Sequence, residues 1–203
     1  MIGVINVGTG NAKSIIEAYK KLNLDASLCE KPNHLQKIKK LILPGVGAFG
    51  KFMENLHRSE LYDPIKKLIN NGMPILGICV GFHSLFTDCN EFGKNDGFNF
   101  IKGNVKKLDF QNTVKIPHMG WNNCEINSYD NLFKDVNNKL DFYFCHSYEA
   151  QSVEEKFILS KTDYGHDIIS AVKNDNIFGV QFHPEKSQNN GLKILNNFAN
   201  LVI

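Results

Sequence analysis

The sequence predicts an α/β fold, a three-layer sandwich with a mainly parallel central sheet and additional antiparallel strands. In the first half of the chain, apolar strand-like runs alternate with helical patterns, which indicates a parallel sheet covered by helices. In the second half, the β-rich segments are short and closely spaced, which is typical of antiparallel strands. No repeat, low-complexity segment or Pro/Ser-rich linker interrupts the chain, so we expect a single domain over residues 1–203.

The first half contains three predicted buried strands, each followed by a helical pattern. The strands are residues 2–6 (IGVIN), 40–43 (KLIL) and 74–78 (PILGI). The helices are residues 11–22, with Ile15, Tyr19 and Leu22 on one face, residues 49–70, and a helix that begins within residues 82–89.

The second half contains six predicted strands and a closing helix. The strands are residues 100–110, 114–117, 142–145, 157–162, 168–173 and 178–182. Asp175 and Asn176 separate the last two strands and predict a tight turn. The closing helix, residues 191–202, is amphipathic, with an inward face formed by Leu192, Leu195, Phe198, Ala199 and Val202.

Composition and charge argue against several classes of protein. The formal net charge is only +2 and no basic block occurs, so we expect no nucleic-acid partner. The apolar start, residues 2–7, is too short to cross a bilayer and lacks the features of a signal peptide, so we expect no membrane association. The five cysteines include no CxxC pair, which predicts free thiols in the cytoplasm and no metal or other cofactor.

One cysteine lies in a pattern that is typical of a nucleophile. Gly77, Cys79 and Gly81 fit the elbow G-x-Nuc-x-G, between a predicted strand and a predicted helix. The elbow residue has a strained backbone, so its neighbours need almost no side chain. The turn would also set the sulfur beside a helix N-terminus, which favours the thiolate. The alternative is a buried structural cysteine at a glycine-bounded strand end.

A nucleophilic thiol needs a base, and His183 follows the predicted strand 178–182. His183 is positioned to take the thiol proton, and Glu185 to orient and stabilise the imidazolium. The alternative is a surface histidine beside a solvated glutamate. An HxE pair also occurs in zinc deaminases, but their P-C-x-x-C partner is absent here.

The tetrahedral intermediate of such a reaction needs backbone donors for its oxyanion. Val80, directly after the nucleophile, is expected to supply one N–H. The segment 44–47 (PGVG) follows strand 40–43 at the same edge of the sheet, and its glycines permit a backbone that aims a second N–H at the site. Taken alone, this segment is also compatible with an ordinary strand-to-helix turn.

The elbow and the HPE sequence, in this order, resemble the class I (triad) glutamine amidotransferases. Four segments resemble one branch of that family, the glutaminase subunits of imidazole glycerol phosphate synthase (HisH). They are PGVGAFG at 44–50, IPHMGWN at 116–122, FCHSYE at 144–149 and FHPEKSQ at 182–188. The matches run from about residue 8 to the C-terminus, and they imply the flavodoxin-like amidotransferase sandwich.

The resemblance also implies roles for the residues of the site. Cys79 would attack the carboxamide of glutamine, His183 would protonate the departing ammonia and then activate water, and Glu185 would hold His183. Gly47 and Val80 would supply the oxyanion N–H groups after a rearrangement of the Gly45–Val46 peptide. The residues that would border the substrate are Gly47, His83, Ser147 and Tyr148.

The resemblance further implies a partner, a (β/α)8-barrel cyclase subunit that receives the ammonia in a heterodimer. The barrel would close an imidazole ring on a ribonucleotide in histidine biosynthesis and release an aminoimidazole carboxamide ribotide. Trp121 and Asn122 would belong to the docking face, although a lone tryptophan is also compatible with core packing. The residues near the subunit junction would be Asn11, Tyr143 and Lys186. For His118 and His146, inside two of the matching motifs, we expect a structural role.

The sequence departs from the family pattern in three places. His83 stands where the family usually has a glutamine that contacts the substrate. Asn6 and Val7 replace the usual Asp-Tyr, and residues 96–101 (DGFNFI) replace the usual Glu-Gly-Leu-Gly-Leu-Ile. Such drift is compatible with a second gene copy. The alternative function is therefore a paralogous glutaminase that supplies ammonia to a homologous barrel for the amidination or amination of a surface-polysaccharide sugar.

Three other classes share part of the pattern. A cysteine peptidase shares the elbow but does not need PGVGAFG beside IPHMGWN. A redox sensor does not need the downstream HPE sequence, and a non-catalytic binding module is expected to lose the thiol or the HPE pair. The sequence retains all of these features.

Overall fold

The computed structural model describes residues 1–110, 114–136 and 141–202. Its α-helices are α1 (Ala12–Lys21), α2 (Phe49–Arg58), α3 (Tyr62–Asn70), the one-turn α4 (Val80–His83) and α5 (Gln188–Asn200). Short 3₁₀ helices cover Pro32–Leu35, Asn131–Phe133, Glu155–Phe157 and Pro184–Lys186. The strands are β1 (Ile2–Ile5), β2 (Ala26–Cys29), β3 (Lys40–Gly45), β4 (Ile75–Cys79), β5 (Asp88–Cys89), β6 (Asn95–Asp96), β7 (Asn104–Lys107), β8 (His118–Asn123), β9 (Glu125–Ile126), β10 (Asp141–His146), β11 (Tyr148–Gln151), β12 (Ile158–Asp163), β13 (Asp167–Asn174) and β14 (Ile177–Val180).

The main sheet has eight strands in the order β2-β1-β3-β4-β14-β13-β12-β9. The five strands from β2 to β14 are parallel to one another, and β13, β12 and β9 continue the sheet in antiparallel pairs. The connection from β1 to β2, through α1, moves towards one edge of the sheet. The connection from β3 to β4, through α2 and α3, moves towards the other edge. Because such crossovers are right-handed, the two sets of helices cover opposite faces of the sheet. The predicted α/β sandwich with a mainly parallel sheet is confirmed.

Two smaller sheets lie outside the main one. In the first, β10 pairs antiparallel with β8; in the second, the order is β11-β7-β5-β6. Strand β10 alternates strictly, because Phe142, Phe144 and His146 are buried while Tyr143 and Cys145 are half-buried. One face of this hairpin-like pair therefore packs on the core, and the other is available at the surface.

Several predicted elements differ from those in the structure. The predicted helix 49–70 is two helices, and Glu60 between them has a positive φ of 58°. The predicted helix within 82–89 is wrong: only Val80–His83 is helical, because the backbone of the next residues bonds to the segment 97–103 instead. The predicted strand 114–117 is also wrong, since the strand begins at His118, directly after Pro117, which has no N–H to donate to a ladder.

The other boundaries shift in smaller ways. The predicted strand 100–110 is reduced to β7, and the closing helix begins at Gln188, earlier than predicted, and ends at Asn200. Asp175 and Asn176 form the predicted turn between β13 and β14, and Asp175 has a φ of 51°. No helix in the described parts of the chain is long and apolar enough to cross a membrane.

The end of α5 is held to the sheet by one lysine. Lys40 Nζ, at the start of β3, donates to the carbonyl oxygens of Phe198 (2.9 Å), Ala199 (2.8 Å) and Leu201 (2.6 Å). The last carbonyls of a helix have no partner within the helix, so a cation there satisfies them and faces the negative end of the helix dipole.

Replacing this cation should weaken the whole fold. We expect Lys40→Met to lower the free energy of unfolding by about 2 kcal/mol, since hydrogen bonds from a charged group are lost while the apolar stem is kept. Urea denaturation measures the change, with Lys39→Met, at the exposed neighbouring lysine, as the matched control. An equal loss in both variants would contradict this role of Lys40.

Candidate active site

The backbone at Cys79 makes the strained turn that the elbow pattern predicts. Cys79 ends β4 and has φ 54° and ψ −108°, a region that residues with a side chain rarely adopt. A Cβ on Gly77 would lie 2.6 Å from the carbonyl oxygen of Gly81, and a Cβ on Gly81 would lie 1.7 Å from that of Leu43. The chain can make this turn only because both positions are glycine.

The imidazole is positioned by a second set of contacts. His183 follows β14, which is the parallel neighbour of β4 in the sheet. Its backbone N–H donates to the carbonyl of Tyr143 at 2.9 Å, and its carbonyl accepts the Ser187 hydroxyl at 2.6 Å. Because the Tyr143 N–H also donates to Ser187 Oγ at 3.0 Å, the turn that carries His183 is tied to β10 at both ends.

The three predicted catalytic side chains meet in one row. The Cys79 thiol and the His183 ring line the same pocket and interact electrostatically, and the thiol also lies 3.8 Å from the carbonyl oxygen of Cys145. On the other side of that ring, His183 Nδ1 lies 2.9 Å from Glu185 Oε1, and both side chains are almost fully buried. Asn11 Nδ2 donates to the same carboxylate oxygen at 3.2 Å.

This arrangement favours charge on the imidazole. Burial disfavours the cation, but the hydrogen bonds and the negative charges of Cys79 and Glu185 outweigh it, so the pKa of His183 is raised above its ordinary range. Burial acts against ionisation of Glu185 as well, yet its hydrogen bond and ion pair with His183 hold the pKa of this carboxyl below its usual value. The site therefore favours an imidazolium between two acidic partners.

A pocket of about 630 Å³ opens in front of the thiol. The residues proposed from the sequence that line it are Val46, Gly47, Cys79, Val80, His83, Ser147, Tyr148, His183 and Lys186. Gly45 lies beneath the pocket, where its backbone pairs with Cys79 across β3 and β4 and a Cβ would approach Gly81 N to 2.8 Å. Gly47 has a φ of 87°, in the region that favours glycine.

His83, the main departure from the family pattern, is buried at the rear of this pocket. Its Nε2 lies 2.7 Å from Oε1 of the buried Gln181. Burial lowers the pKa of His83 to about 4, against the smaller opposite effects of its hydrogen bonds to Gln181 and to the backbone of Tyr148. His83 is therefore neutral at pH 7.

Three of the five predicted docking residues cluster at the surface, and the other two form hydrogen bonds with other parts of the chain. Trp121 is 50 % exposed and packs edge-to-face on Tyr143, with ring centroids 6.3 Å apart. Lys186 Nζ lies 5.5 Å from the centre of the Tyr143 ring, so these three form one surface cluster, and Lys186 also lines the pocket. Asn11 points inward to Glu185, and Asn122 donates to the backbone oxygen of Asp163 at 2.8 Å.

The structure adds residues that sequence reasoning missed. Glu91 lines the pocket, and its Oε2 accepts the Phe49 N–H at 2.6 Å, at the start of α2. It lies in a loop without a motif, so no local signal identifies it. Ser187 stands inside the quoted segment FHPEKSQ, and its place in that motif is the signal that could have found it. Within residues 1–110, 114–136 and 141–202, no cluster of three or more potential ligands could hold a metal ion.

Comparison with known proteins agrees with this geometry. Residues 3–201 match the family described as glutamine amidotransferase class-I. The chain belongs to this family. A relative named imidazole glycerol phosphate synthase subunit HisH 1, from Campylobacter jejuni subsp. jejuni serotype O:23/36 (strain 81-176), is 43% identical over 99% of this chain and 100% of its own. A relative named imidazole glycerol phosphate synthase subunit HisH, from Sulfurimonas denitrificans, is 42% identical over 98% of this chain and 97% of its own.

Solved structures support the amidotransferase fold at lower sequence identity. The structure of PurLQS from Thermotoga maritima matches with a TM-score of 0.77 and 18% identity, over 98% of this chain and 97% of the other. The predicted fold of this amidotransferase and its resemblance to the HisH branch are therefore confirmed, and the chain is a glutamine amidotransferase enzyme.

A methyl group at the elbow of this amidotransferase should prevent stable folding. We expect Gly81→Ala to lower the free energy of unfolding by at least about 3 kcal/mol, because its Cβ would overlap a backbone carbonyl that cannot move independently. Gly50→Ala is the matched control, since its Cβ would meet only the end of the Asn95 side chain, and we expect a change within about 1 kcal/mol. Urea denaturation of both variants tests this, and a normal stability for Gly81→Ala would contradict it.

Buried neutral histidines should make this amidotransferase sensitive to acid. Burial lowers the pKa of His83 and His118 to about 4 and that of His146 to about 3. Because the unfolded chain takes up these protons first, near pH 6.5, their contribution to stability is present above that pH and is lost as the pH falls towards 4. His183, whose pKa is raised to about 10, has the opposite dependence: its contribution is fully present below about pH 6.5 and is lost as the pH rises towards 10.

Urea denaturation between pH 7.5 and pH 4.5 measures this dependence. We expect His83→Gln to show a shallower fall in stability with acid than the wild type, by up to roughly 3 kcal/mol at the acid end, because one buried proton-accepting site is removed. Parallel curves for the two proteins would show that His83 is not neutral in the folded state.

Proposed function

We propose that this chain is the glutaminase subunit of an imidazole glycerol phosphate synthase. In this proposal, it hydrolyses glutamine to glutamate and ammonia through Cys79, His183 and Glu185. The observation that carries the proposal is that the strained elbow thiol and the imidazole face one pocket, and that the imidazole is bonded on its other side to the buried carboxylate. These side chains have the order of groups that nucleophilic catalysis with a thiol requires: nucleophile, base and orienting acid.

The proposed reaction has two halves. Cys79 Sγ attacks the carboxamide carbon, and the C–N bond of the tetrahedral intermediate breaks after His183 gives its proton to the leaving nitrogen, which departs as ammonia. His183 then removes a proton from water, whose oxygen attacks the thioester, and glutamate leaves as Cys79 regains its thiolate. Glu185 keeps the ring oriented in both halves and stabilises its charged form.

The oxyanion of each tetrahedral intermediate is proposed to accept N–H groups from Gly47 and Val80. Val80 begins α4 directly after the nucleophile, so its N–H lies at the positive end of a turn of helix. Gly47 would turn its N–H inward after the Gly45–Val46 peptide rearranges. The exposure of Val46 and the positive φ of Gly47 support a segment that can adopt a second conformation without a large steric cost.

The pocket offers groups for both ends of the glutamine main chain. We assign Ser147 and Tyr148 to the carboxylate end, and Glu91 to the α-ammonium group, which a carboxylate in a concave pocket attracts. Gly47 and His83 complete the wall. The His83 ring is bonded to Gln181 and to the backbone of Tyr148, so it shapes the wall in place of the glutamine that the family usually has there.

The proposed partner is a (β/α)8-barrel cyclase subunit in a heterodimer. The surface cluster of Trp121, Tyr143 and Lys186 supports a docking site beside the pocket, because an exposed aromatic anchor near charged groups is typical of an interface. Ammonia would pass across this junction to a ribonucleotide in histidine biosynthesis, in the cytoplasm. The names of the relatives support this pathway, whereas the sugar-modifying alternative remains an outcome of the experiment below.

Glutamate release with the cyclase barrel from the same source tests this proposal. The isolated chain should be nearly silent, and the complex should release glutamate at a rate that rises at least about tenfold when the ribonucleotide substrate is added, because partner and ligand complete the oxyanion site. Imidazole product should form in step with glutamate.

Cys79→Ala is the control, and we expect it to abolish glutamate release while it still binds the barrel. Retained hydrolysis in this variant would remove Cys79 from the mechanism. Silence of the wild type with this barrel, combined with co-purification with a different barrel, would contradict the histidine-pathway role and favour the sugar-modifying glutaminase.

A further inference from the structure

Two buried histidines outside the catalytic row form a direct hydrogen bond. His118 Nδ1 lies 2.9 Å from His146 Nε2, and the two residues are opposite each other in the ladder of β8 and β10. They are only 2% and 6% exposed. The catalytic steps above use neither ring, so their pairing needs an explanation of its own.

The pair is part of a longer chain of contacts. At one end, Asn122 Nδ2 lies 3.2 Å from His118 Nε2. At the other end, His146 Nδ1 lies 2.8 Å from the carbonyl oxygen of Tyr148. The chain therefore runs from the strand that carries Trp121 to the segment that borders the glutamine pocket.

When both rings are neutral, only one assignment of donors and acceptors satisfies all of these hydrogen bonds. The Tyr148 carbonyl can only accept, so His146 must carry its proton on Nδ1, and its Nε2 must then accept from His118 Nδ1–H. His118 Nε2 is left as an acceptor, and the amide of Asn122 donates to it. Every ring nitrogen is satisfied in this assignment, and burial, which lowers the pKa of both rings, keeps them uncharged.

Packing prevents the His118 ring from leaving this orientation. The ring is stacked between Tyr164, at 3.9 Å between centroids, and Phe144, at 4.6 Å. The Tyr164 hydroxyl is itself fixed, since it donates to the carbonyl of Lys115 at 2.9 Å. A ring held on both faces can keep its two nitrogens aimed at fixed partners.

We propose that His118 and His146 are positioning residues that hold the Ser147–Tyr148 segment of the glutamine pocket in register with the partner-facing strand β8. The inference rests on the proposed function, because it concerns glutamine binding at that same site. In this role, the two rings form a rigid link between the docking strand β8 and the wall of the pocket. The link acts through the backbone of Tyr148, at the wall of the pocket that His146 also lines.

The proton positions provide the first test, on the wild-type protein. Long-range ¹H–¹⁵N NMR of the histidine rings should show His118 and His146 as neutral Nδ1–H tautomers at pH 7.5. An Nε2–H tautomer or a charged ring at either residue would overturn the proposal. This readout needs neither the partner nor catalysis, so it is independent of the proposed function.

Two substitutions of His118 separate positioning from packing. His118→Phe keeps the flat ring between Tyr164 and Phe144 but removes both hydrogen bonds. His118→Asn loses the ring, whereas its amide nitrogen can occupy the place of Nδ1 and donate to His146. If His118 acts only by packing, the Phe variant should be the less impaired of the two. If His118 acts by positioning His146, the Asn variant should be the less impaired.

Glutamine hydrolysis by the complex with the barrel and ribonucleotide measures the difference. We expect His118→Phe to raise KM for glutamine about tenfold with kcat within about threefold, and His118→Asn to lie nearer the wild type in KM. Lys40→Met, which lowers stability far from this chain of contacts, should leave KM unchanged. A KM that follows stability across the three variants would overturn the proposal.

The outcomes of the two proposals can be told apart. A wild-type complex that does not hydrolyse glutamine would contradict the proposed function, whatever the NMR shows. An active wild type whose His118→Phe variant has an unchanged KM would contradict the positioning role alone. If His118→Phe fails to fold, the tautomers of the wild type and the KM of His118→Asn still decide.

Discussion

The site depends on one close approach of backbone to backbone, at the carboxyl ends of β3 and β4. The turn after Cys79 brings Gly81 against the carbonyl of Leu43, where no side-chain atom fits, and Gly45 packs on the same turn from β3. This contact fixes the unusual backbone angles of Cys79 and places its thiol above the sheet. The pocket wall at 46–47 and the proposed oxyanion donors then follow from the same geometry, since they continue directly from these two strands.

The electrostatics of the site depend on a difference in charge between His183 and three other buried histidines. His183 has two acidic partners and favours the charged form, whereas His83, His118 and His146 are buried among neutral groups and lose their charge. A second charged ring nearby would repel the imidazolium of His183 and lower its pKa. Neutral rings at these three positions leave the positive charge on His183, where the proposed nucleophilic chemistry needs it.

The sequence predicts the parts of this protein in which local pattern and tertiary structure agree. The apolar runs of β1, β3 and β4 are buried on both faces, and the five residues from Gly77 to Gly81 are enough to predict why glycine is needed at both ends of the elbow. Local pattern fails where contacts with distant residues determine the structure. Phe82, Leu85 and Phe86 have helical spacing, but Ser84 and Thr87 bond to backbone from 97–103, so the helix stops at His83. Glu91 reaches the pocket from a loop, and Asn11 faces the triad across the whole sequence, so no local signal reveals either position.

The proposed catalytic residues come from two strands that are distant in sequence but adjacent in the sheet. Cys79 ends β4, whereas His183 and Glu185 follow β14, and only the parallel pairing of these strands brings the thiol to its base. During synthesis, a ribosome therefore releases the proposed nucleophile long before the imidazole proposed to activate it. Until β14 has emerged and inserted beside β4, the nascent chain has the thiol without that imidazole. The order of the sequence thus leaves the row of side chains incomplete until one of the last strands to be made has joined the sheet.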